Sequence, residues 1–593
     1  MSMKNSFRRI ANTLSIKRVS SALIFLNLAC IIFGIFYLII PIYNLFWDIF
    51  GIILFITLFG NILLVYLNTI KLNKTVKLGT RLNLACYIYL IFIIFGMLII
   101  PISNFLISIT YSSAIRDNIG KYGAFFFFYF GILILGGSIA YIDYKNGDNR
   151  GLWDLKLKGA FIHTKNILLI KKILKIVLGF FSILTLILGI LFAFTILFGI
   201  WILGIIIPQF AFAFSILFIA TTVLSLKILN RKKKEKLYYG IALTGIIISA
   251  VHLIPLLFTP YSIFTAEASF TEAFGANWRN NIDPNVEAKY FKTSHFTSPG
   301  LFLGIPTSDY KYMANVLFFN GAESNYTEDK NIALYFDVFW PKTDIADFPG
   351  KTPGGYSIII KIHGGGWTSG DKGYGDMMEV NKYFAAQGYI VYDIQYGLNI
   401  EPLSGIIPTP KNVLGTFDIN DMVRHIGNFT HYITNSSNPY SVSALEGNVD
   451  YVFVSGGSAG GHLTCTTALG IASNNYTEYF GSGLTIKGVV PFYPANGRSG
   501  LDGLPEFKNP ENFLVNSSSP PMLIYQGTHD FGCAAISRNI KNRYTTAGNL
   551  ECSIIWLPLS GHANDIYFSG HYNQVFLYYM ERFLYLCVNG YIT

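Results

Sequence analysis

Ser458 lies in the most informative short motif of the chain, Gly456-Gly457-Ser458-Ala459-Gly460, which has the G-x-S-x-G pattern. The run Asp450 to Val454 before it is typical of a strand, and Gly460 to Ile471 has the pattern of a helix. A strand that turns sharply into a helix presents the serine hydroxyl outward, and only small neighbours fit such a turn. We therefore predict that Ser458 is the nucleophile of an acyl-transfer reaction. The alternative is a structural glycine-rich turn.

A second glycine-rich stretch, His363-Gly364-Gly365-Gly366-Trp367, directly follows an apolar strand candidate that ends at Ile362. Glycine lets backbone N–H groups approach a reacting carbonyl oxygen, so this loop is predicted to form an oxyanion hole. A phosphate-binding loop is the alternative, but it requires a Lys-Ser/Thr ending or a G-x-G-x-x-G pattern, and neither is present. We expect His363 to brace the loop rather than to transfer protons.

A serine nucleophile needs a base and a carboxylate that orients the base. After a strand–turn–helix nucleophile these partners follow in the order acid, then histidine. Asp530 fits the acid, because it follows the apolar run Pro521 to Gln526, and His562 fits the base in Leu559-Ser560-Gly561-His562. The competing candidates are the carboxylates Asp502 and Asp565 and the imidazoles His529 and His571.

Strand and helix patterns alternate over the second half of the chain, which predicts a mostly parallel sheet with helices on both faces. Strands are expected at 331–340, 357–362, 389–396, 450–454, 487–493, 521–526 and 552–557. Helices are expected at 413–433, 460–471, 537–547 and 573–587.

Residues 313–587 resemble the α/β-hydrolase superfamily, in particular its carboxylesterase branch with the hormone-sensitive-lipase-like, BD-FAE-like and isoprenylcysteine-methylesterase-like enzymes. The resemblance rests on FDVFWP, HGGGWTSGDK, YIVYDIQYGL, GGSAGGH and the Gly527/Asp530 and Gly561-His562 loops. It implies a serine esterase of the carboxylic ester hydrolase class, with catalytic residues Ser458, Asp530 and His562. The implied oxyanion donors are the N–H groups of Gly365, Gly366 and Ala459, and the supporting motif residues are His363, Gly364, Gly456 and Gly460.

Two stretches depart from the pattern of these relatives. Asp393-Ile394-Gln395-Tyr396 stands where relatives often have D-Y-R, and FGCAA follows Asp530 where they often have a Val-Pro turn. These departures weaken any transfer of substrate preference. No cofactor is expected, and the Cys and His spacings show no zinc pattern.

The first half of the chain has a different composition. The whole chain has 593 residues, of which 52% are hydrophobic and 13% charged, against ~25% charged in a soluble domain. Spanning helices need ~20 mostly apolar residues. Seven such segments are expected at 22–43, 47–67, 84–108, 123–142, 173–200, 206–228 and 238–258. The predicted organisation is a membrane region at 1–258, a juxtamembrane linker at 259–312 and an α/β-hydrolase domain at 313–593.

The net charge of +10 is unevenly distributed, with +19 in residues 1–258 and −9 in residues 259–593. Because the basic residues flank apolar segments, nucleic-acid binding is not expected. Successive tails and loops contain 5, 0, 4, 2, 8, 0 and 6 Lys or Arg residues. Such alternation predicts a cytoplasmic N-terminus and, after seven spans, an extracellular or lumenal hydrolase.

Within the predicted spans, ionisable residues are few. Asp48 lies near a span end, and His252 is expected to be hydrogen-bonded to a neighbour rather than to transport ions. Gly51, Gly60, Gly136 and Gly137 are candidates for helix packing.

Cysteines and glycosylation sequons bear on the compartment. The hydrolase holds Cys465, Cys533, Cys552 and Cys587, so up to two disulfides are possible on an oxidising side. N-x-S/T sequons at Asn325, Asn428, Asn435, Asn475 and Asn516 agree with a glycoprotein on the outer side, although chance matches are common. Asn73 is the one sequon of the first half.

The leading hypothesis is a membrane-anchored carboxylesterase whose partners are the bilayer and a small ester or lipid ester. One alternative is an acyltransferase or deacylase that acts on lipid- or glycan-borne acyl groups. Another is a receptor or transporter that carries an inactive hydrolase module.

Overall fold

The structure, a computed structural model, describes residues 16–39, 45–71, 77–146, 165–229, 231, 233–305, 307–374, 377–400 and 407–592. Within these ranges seven helices are long and apolar enough to cross a membrane. They are α1 (Ile16–Ile39), α2 (Leu45–Lys71), α3 (Lys77–Ser108), α4 (Ile119–Asn146), α5 (Lys165–Phe198), α6 (Trp201–Ile228) and α7 (Glu235–Leu257). Each predicted segment falls on one helix and extends past its end by at most two residues, apart from 40–43, which lie outside the described residues, and the helices begin up to eight residues before the predicted starts.

The predicted spans 173–200 and 206–228 place the break between α5 and α6 near Gly204 to Pro208, but the break lies several residues earlier. The chain turns at Gly199, whose φ of +66° is left-handed, and Pro208 lies inside α6. Proline has no N–H for the carbonyl four residues earlier, which here is that of Gly204. The Asn564 side chain of the hydrolase donates a hydrogen bond to this carbonyl at 3.0 Å. An outside donor therefore replaces the missing helical bond.

Polar contacts and glycines pack the helices against one another. Asn27 on α1 and Asn61 on α2 exchange two amide hydrogen bonds of 3.0 and 2.9 Å. A methyl group at Gly136 would lie 2.3 Å from Asn61 Nδ2, so glycine permits this close approach. His252 Nδ1 lies 2.8 Å from the Ile248 carbonyl oxygen of its own helix, which favours the structural interpretation of this residue.

A nine-stranded sheet forms the core of the second half. Its strands are β1 (Tyr310–Asn320), β2 (Ala333–Pro341), β3 (Lys351–Thr352), β4 (Gly355–Ile362), β5 (Tyr389–Ile394), β8 (Gly447–Gly457), β9 (Ile486–Phe492), β10 (Met522–Gly527) and β11 (Cys552–Leu557). A second, two-stranded sheet pairs β6 (Leu398–Asn399) with β7 (Leu414–Gly415). The order is β1-β2-β5-β4-β8-β9-β10-β11, with β3 on β4. The sheet is parallel from β5 to β11, and β1 and β2 are antiparallel. Central strands such as β4 are buried on both faces, as parallel sheets require.

Further helices follow α7, and most of them cover the sheet. After α7 they are α8 (Thr259–Phe274), α9 (Pro284–Tyr290), α10 (Ser298–Leu303), α11 (Met377–Ala385), α12 (Ile419–Thr434), α13 (Ala459–Ser473), α14 (Thr477–Phe480), α15 (Pro505–Lys508), α16 (Pro510–Phe513), α17 (Phe531–Thr546) and α18 (His571–Val588). The fold class is thus a region of long apolar helices followed by an α/β domain with a mostly parallel sheet, as predicted.

The segment expected as a linker, 259–312, is folded against both parts of the chain. Helix α7 continues through Phe258, whose φ and ψ are helical, into α8. On α8, Ser269 accepts a hydrogen bond from the Ile554 N–H of β11 at 3.2 Å. Helix α10 lies among the membrane helices, where Asn104 of α3 donates to the Phe302 carbonyl at 2.5 Å.

The loop that follows α3 also contacts the hydrolase. Tyr111 donates its hydroxyl proton to buried Asp337 on β2 at 2.9 Å, and Lys382 on α11 donates to the Thr110 carbonyl at 2.9 Å. The hydrolase therefore packs on the ends of the helices where the connecting loops carry few Lys and Arg residues.

Candidate active site

Ser458 occupies the turn between β8 and α13. Its φ of +58° is left-handed, a strained conformation for a residue with a side chain. A methyl group at Gly456 would lie 2.3 Å from the Ile362 carbonyl oxygen, and one at Gly460 would lie 2.1 Å from the same atom. Both positions therefore require glycine. The strand, turn and helix together hold the Ser458 hydroxyl at the carboxyl edge of the parallel sheet.

Ser458, His562 and Asp530 form a continuous hydrogen-bonded chain. His562 Nε2 lies 2.8 Å from Ser458 Oγ, and His562 Nδ1 lies 2.8 Å from Asp530 Oδ2. An imidazole with its proton on Nδ1 satisfies both contacts, since it donates to Asp530 and accepts from the serine hydroxyl. The structure thus brings together the three residues that the sequence assigned to the site.

Asp530 is positioned by the start of α17. Its side chain accepts hydrogen bonds from the Cys533 N–H and from Gln526 Nε2, each at 3.3 Å. Burial acts to raise the pKa of Asp530, but hydrogen bonding to His562 and the charge of that imidazole outweigh burial, and the pKa is held below its ordinary value. Asp530 is therefore ionised at neutral pH and can stabilise a protonated His562.

The two competing carboxylates do not contact the imidazole of His562. Asp502 lies in a loop, and its own backbone carbonyl accepts a hydrogen bond from the Ile419 N–H. Asp565 is buried, which raises its pKa, and it accepts a hydrogen bond from the Tyr493 hydroxyl. The Tyr493 ring in turn packs edge to face on the His562 ring, with 4.7 Å between the two ring centroids. Among the described residues, the route of hydrogen bond and ring contact from Asp565 to the imidazole therefore runs through Tyr493.

The two competing histidines lie away from the nucleophile. His571 opens α18 and is fully buried, and burial lowers its pKa to about 3. His529 packs against Gly199 in the turn between α5 and α6. A methyl group added at Gly199 would lie only 2.8 Å from His529 Cβ. Within the described residues neither imidazole hydrogen-bonds to Ser458.

The three predicted oxyanion donors belong to the two segments next to Ser458, the glycine loop and the start of α13. Ala459 is the first residue of α13, so its N–H has no partner within the helix. Gly365 and Gly366 have φ values of +128° and +65°, and a methyl group at Gly364 would lie 3.3 Å from Ser458 Cβ. The glycine loop is therefore packed directly against the nucleophile, where its N–H groups can stabilise an oxyanion.

Side chains that the sequence analysis left without a role hold this loop. Trp367 Nε1 donates to His462 Nδ1 at 3.3 Å, and His462 Nε2 then donates to the Phe507 carbonyl at 2.7 Å. Burial lowers the pKa of His462 to about 4, so the imidazole stays neutral. His462 directly follows the glycines of the serine motif, and that position was the signal available in the sequence. The Tyr396 hydroxyl donates to the His363 carbonyl at 2.9 Å, which supports the expected bracing role of His363.

One group of potential metal ligands is present among the described residues. Ligand atoms of Asp530, Cys533 and His562 lie within 4.8 Å of one another. Asp530 and His562 already bind each other, and burial raises the pKa of the Cys533 thiol, which disfavours the thiolate that metals prefer. All six cysteines are buried and free, so the two disulfides that the sequence permitted do not form.

The chain is similar to known esterases in two comparisons. Residues 344–497 match the family model described as BD-FAE. A comparison with curated protein sequences gives no match. Among solved structures, esterase B from Lactobacillus rhamnosis is 18% identical with a TM-score of 0.30, over 44% of this chain and 80% of that one.

Two further solved structures align over nearly half of the chain. Esterase 2 from Thermogutta terrifontis, in its apo form, is 19% identical with a TM-score of 0.33, over 47% of this chain and 96% of that one. A structure described as an arylesterase is 14% identical with a TM-score of 0.33, over 48% and 86% of the two chains. The resemblance to BD-FAE-like enzymes that the sequence motifs indicate is thus supported by the family match over residues 344–497.

Proposed function

We propose that this protein is a membrane-anchored serine esterase that cleaves carboxylic esters through an acyl-enzyme intermediate. The observation that carries the proposal is the pair of 2.8 Å contacts that join Ser458 to His562 and His562 to Asp530. The BD-FAE match over residues 344–497 covers Ser458 and the glycine loop and supports the same chemistry.

The geometry supports a two-step acyl transfer. His562 Nε2 takes the hydroxyl proton as Ser458 Oγ attacks the ester carbonyl carbon, and the N–H groups of Gly365, Gly366 and Ala459 stabilise the oxyanion. His562 then gives the proton to the leaving alkoxide, and the alcohol departs from the acyl-enzyme. A water molecule, deprotonated by His562, attacks the acyl carbon and releases the carboxylic acid and free Ser458.

A serine-directed fluorophosphonate tests the assignment of the nucleophile. We expect the full-length protein in detergent to form a covalent adduct at Ser458 and to hydrolyse p-nitrophenyl acetate. Ser458→Ala removes both signals without unfolding the domain, since the smaller side chain adds no clash at the turn. The matched control is Ser518→Ala, an exposed serine, which keeps both. Ester turnover retained by Ser458→Ala, with an unchanged melting temperature, contradicts the proposal.

We further propose that the hydrolase lies on the extracellular or lumenal side. The hydrolase packs on the helix ends whose loops are poor in Lys and Arg, and such loops are typically outside the cytoplasm. In cells that carry the protein on their surface, a membrane-impermeant fluorophosphonate should label Ser458 before permeabilisation. Labelling that requires permeabilisation contradicts this orientation.

A further inference from the structure

The loops that carry the proposed acid and base rest on the turn between α5 and α6. His529, which precedes Asp530, lies against Gly199 of this turn. Leu559, three residues before His562, packs with Ile196 of α5 and Ile207 of α6. Both catalytic loops therefore touch the same end of two membrane helices.

Hydrogen bonds tie the His562 loop to the first turns of α6. Asn564 donates to the Gly204 carbonyl, the acceptor that Pro208 leaves free. The Gln209 side chain accepts from the Tyr567 N–H at 2.8 Å. The buried Gln209 and Asn564 side chains thus fix the distance between the catalytic loop and the helix ends.

The length of α6 places this turn at the level of lipid headgroups. The apolar span Ile202–Ile228 has 27 residues, or about 40 Å at 1.5 Å per residue. A bilayer is about 40–45 Å thick with its headgroup regions and about 30 Å without them. A helix of this length reaches from one interface to the other. The turn between α5 and α6 and the loops of the proposed acid and base on it therefore lie at the interface.

Large apolar side chains surround the turn and are exposed on the protein itself. Phe198 is 63% exposed and Ile200 is 42% exposed, on either side of Gly199. Phe531 directly follows Asp530 and is 71% exposed. The centroids of the Phe531 and His529 rings are 5.9 Å apart. Exposing these side chains to water is unfavourable, whereas acyl chains would cover them favourably.

We propose that the substrate is a bilayer-resident ester with a long acyl chain, which reaches Ser458 from the interface at the α5–α6 turn. The acyl chain stays against Phe198, Ile200 and Phe531 while the ester carbonyl enters the site. This inference rests on the esterase activity proposed above and specifies its substrate class. It requires no further reaction step, because a lipid ester is cleaved by the same acyl transfer.

The test compares two esters on full-length protein reconstituted in phosphatidylcholine vesicles. One is a fluorogenic long-chain acylglycerol in the bilayer, and the other is water-soluble p-nitrophenyl acetate. The variant is Ile200→Ser/Phe531→Ser. We expect the ratio of kcat/KM for the bilayer ester to that for the soluble ester to fall at least tenfold. The matched control is Leu550→Ser, a 63% exposed residue at the opposite edge of the sheet, which leaves the ratio unchanged.

The outcomes separate this inference from the esterase assignment. Hydrolysis of the soluble ester without hydrolysis of the bilayer ester overturns the substrate class and leaves the esterase intact. An unchanged ratio in the double variant also overturns it. Loss of fluorophosphonate labelling and of all turnover in the wild-type protein overturns the esterase itself, and this inference with it.

Discussion

The Asn564 side chain donates a hydrogen bond to the Gly204 carbonyl, across 360 residues of sequence, at 3.0 Å. Gly204 can accept this bond because the residue four positions later in α6 is Pro208, which has no N–H. Asn564 also lies two residues after His562. The carbonyl that Pro208 leaves without a helical partner thus binds the loop that contains His562.

We expect Asn564→Ala to destabilise the protein by about 1–3 kcal/mol, because the buried Gly204 carbonyl then lacks a donor. Pro208→Ala supplies an N–H in the helix, so the double variant should recover part of that loss. Thermal unfolding of the four proteins in one detergent completes the double-mutant cycle. Strictly additive effects of the two substitutions contradict the contact.

Asp530→Asn should lower kcat for a soluble ester by about 10⁴-fold. An amide cannot stabilise the imidazolium of His562 and favours the wrong tautomer. Asp565→Asn serves as the matched control, because Asp565 contacts Tyr493 and not the imidazole. Its effect should stay below about tenfold. A larger loss at Asp565 than at Asp530 would reverse the choice of acid.

The two glycines of the proposed oxyanion loop should differ in their tolerance of alanine. Gly365 has φ +128°, and a methyl group there would lie 1.8 Å from the Ser369 carbonyl oxygen. Gly366 has φ +65°, a left-handed conformation that costs alanine about 1 kcal/mol. We expect Gly365→Ala to reduce kcat by at least about 10²-fold and Gly366→Ala to reduce it less. Steady-state kinetics decides the order, and the reverse order argues against the loop geometry.

Asp393 predicts a pH dependence of stability. Burial, with the nearby charge of Asp337, raises its pKa to about 7 from about 4 in the unfolded chain. The folded state therefore binds the proton more tightly, and its stabilising contribution is complete below pH ~4 and lost as pH rises through ~7. Asp393→Asn lacks this loss. Its melting temperature should therefore rise relative to that of the wild type as the pH is raised from 5 to 8. Parallel curves for the two proteins contradict the shift.

Glycan mapping in a eukaryotic host provides an independent test of orientation. The sequon residues Asn325, Asn435, Asn475 and Asn516 are exposed, whereas Asn428 is half-buried on α12 and its partner Thr430 is buried. An outward hydrolase should show an endoglycosidase-sensitive mass shift that Asn428→Gln does not alter. A protein without any such shift has its hydrolase on the cytoplasmic side or does not expose these sites.

Local sequence patterns were sufficient to predict the seven helices, the mostly parallel sheet and the residues of the proposed triad. They depend on apolar run length and on glycines next to Ser458, which are read over a few positions. The start of α12 was predicted at Val413 but lies at Ile419, because Asp418 caps the helix and accepts a hydrogen bond from the Asp421 N–H. That cap residue was visible in the sequence.

Contacts between distant segments could not be predicted in this way. Nothing near Tyr111 indicates that it pairs with Asp337, and nothing near Gly199 indicates that it meets His529. Such contacts depend on how the helix bundle docks on the sheet, and a single sequence carries no periodic signal for docking. The segment 259–312 was expected as a linker for the same reason, since short helices without a long apolar face resemble connecting loops.

The passage from α7 into α8 has a mechanical consequence. The chain leaves the bundle through Phe258, whose φ and ψ stay in the helical region, and Ser269 then bonds to strand β11. A domain joined to the bundle by such a helix has little freedom to rotate, so its distance from the lipid surface and its orientation are restricted. We therefore expect the proposed esterase to act on the membrane that carries it and not on an ester in a facing vesicle.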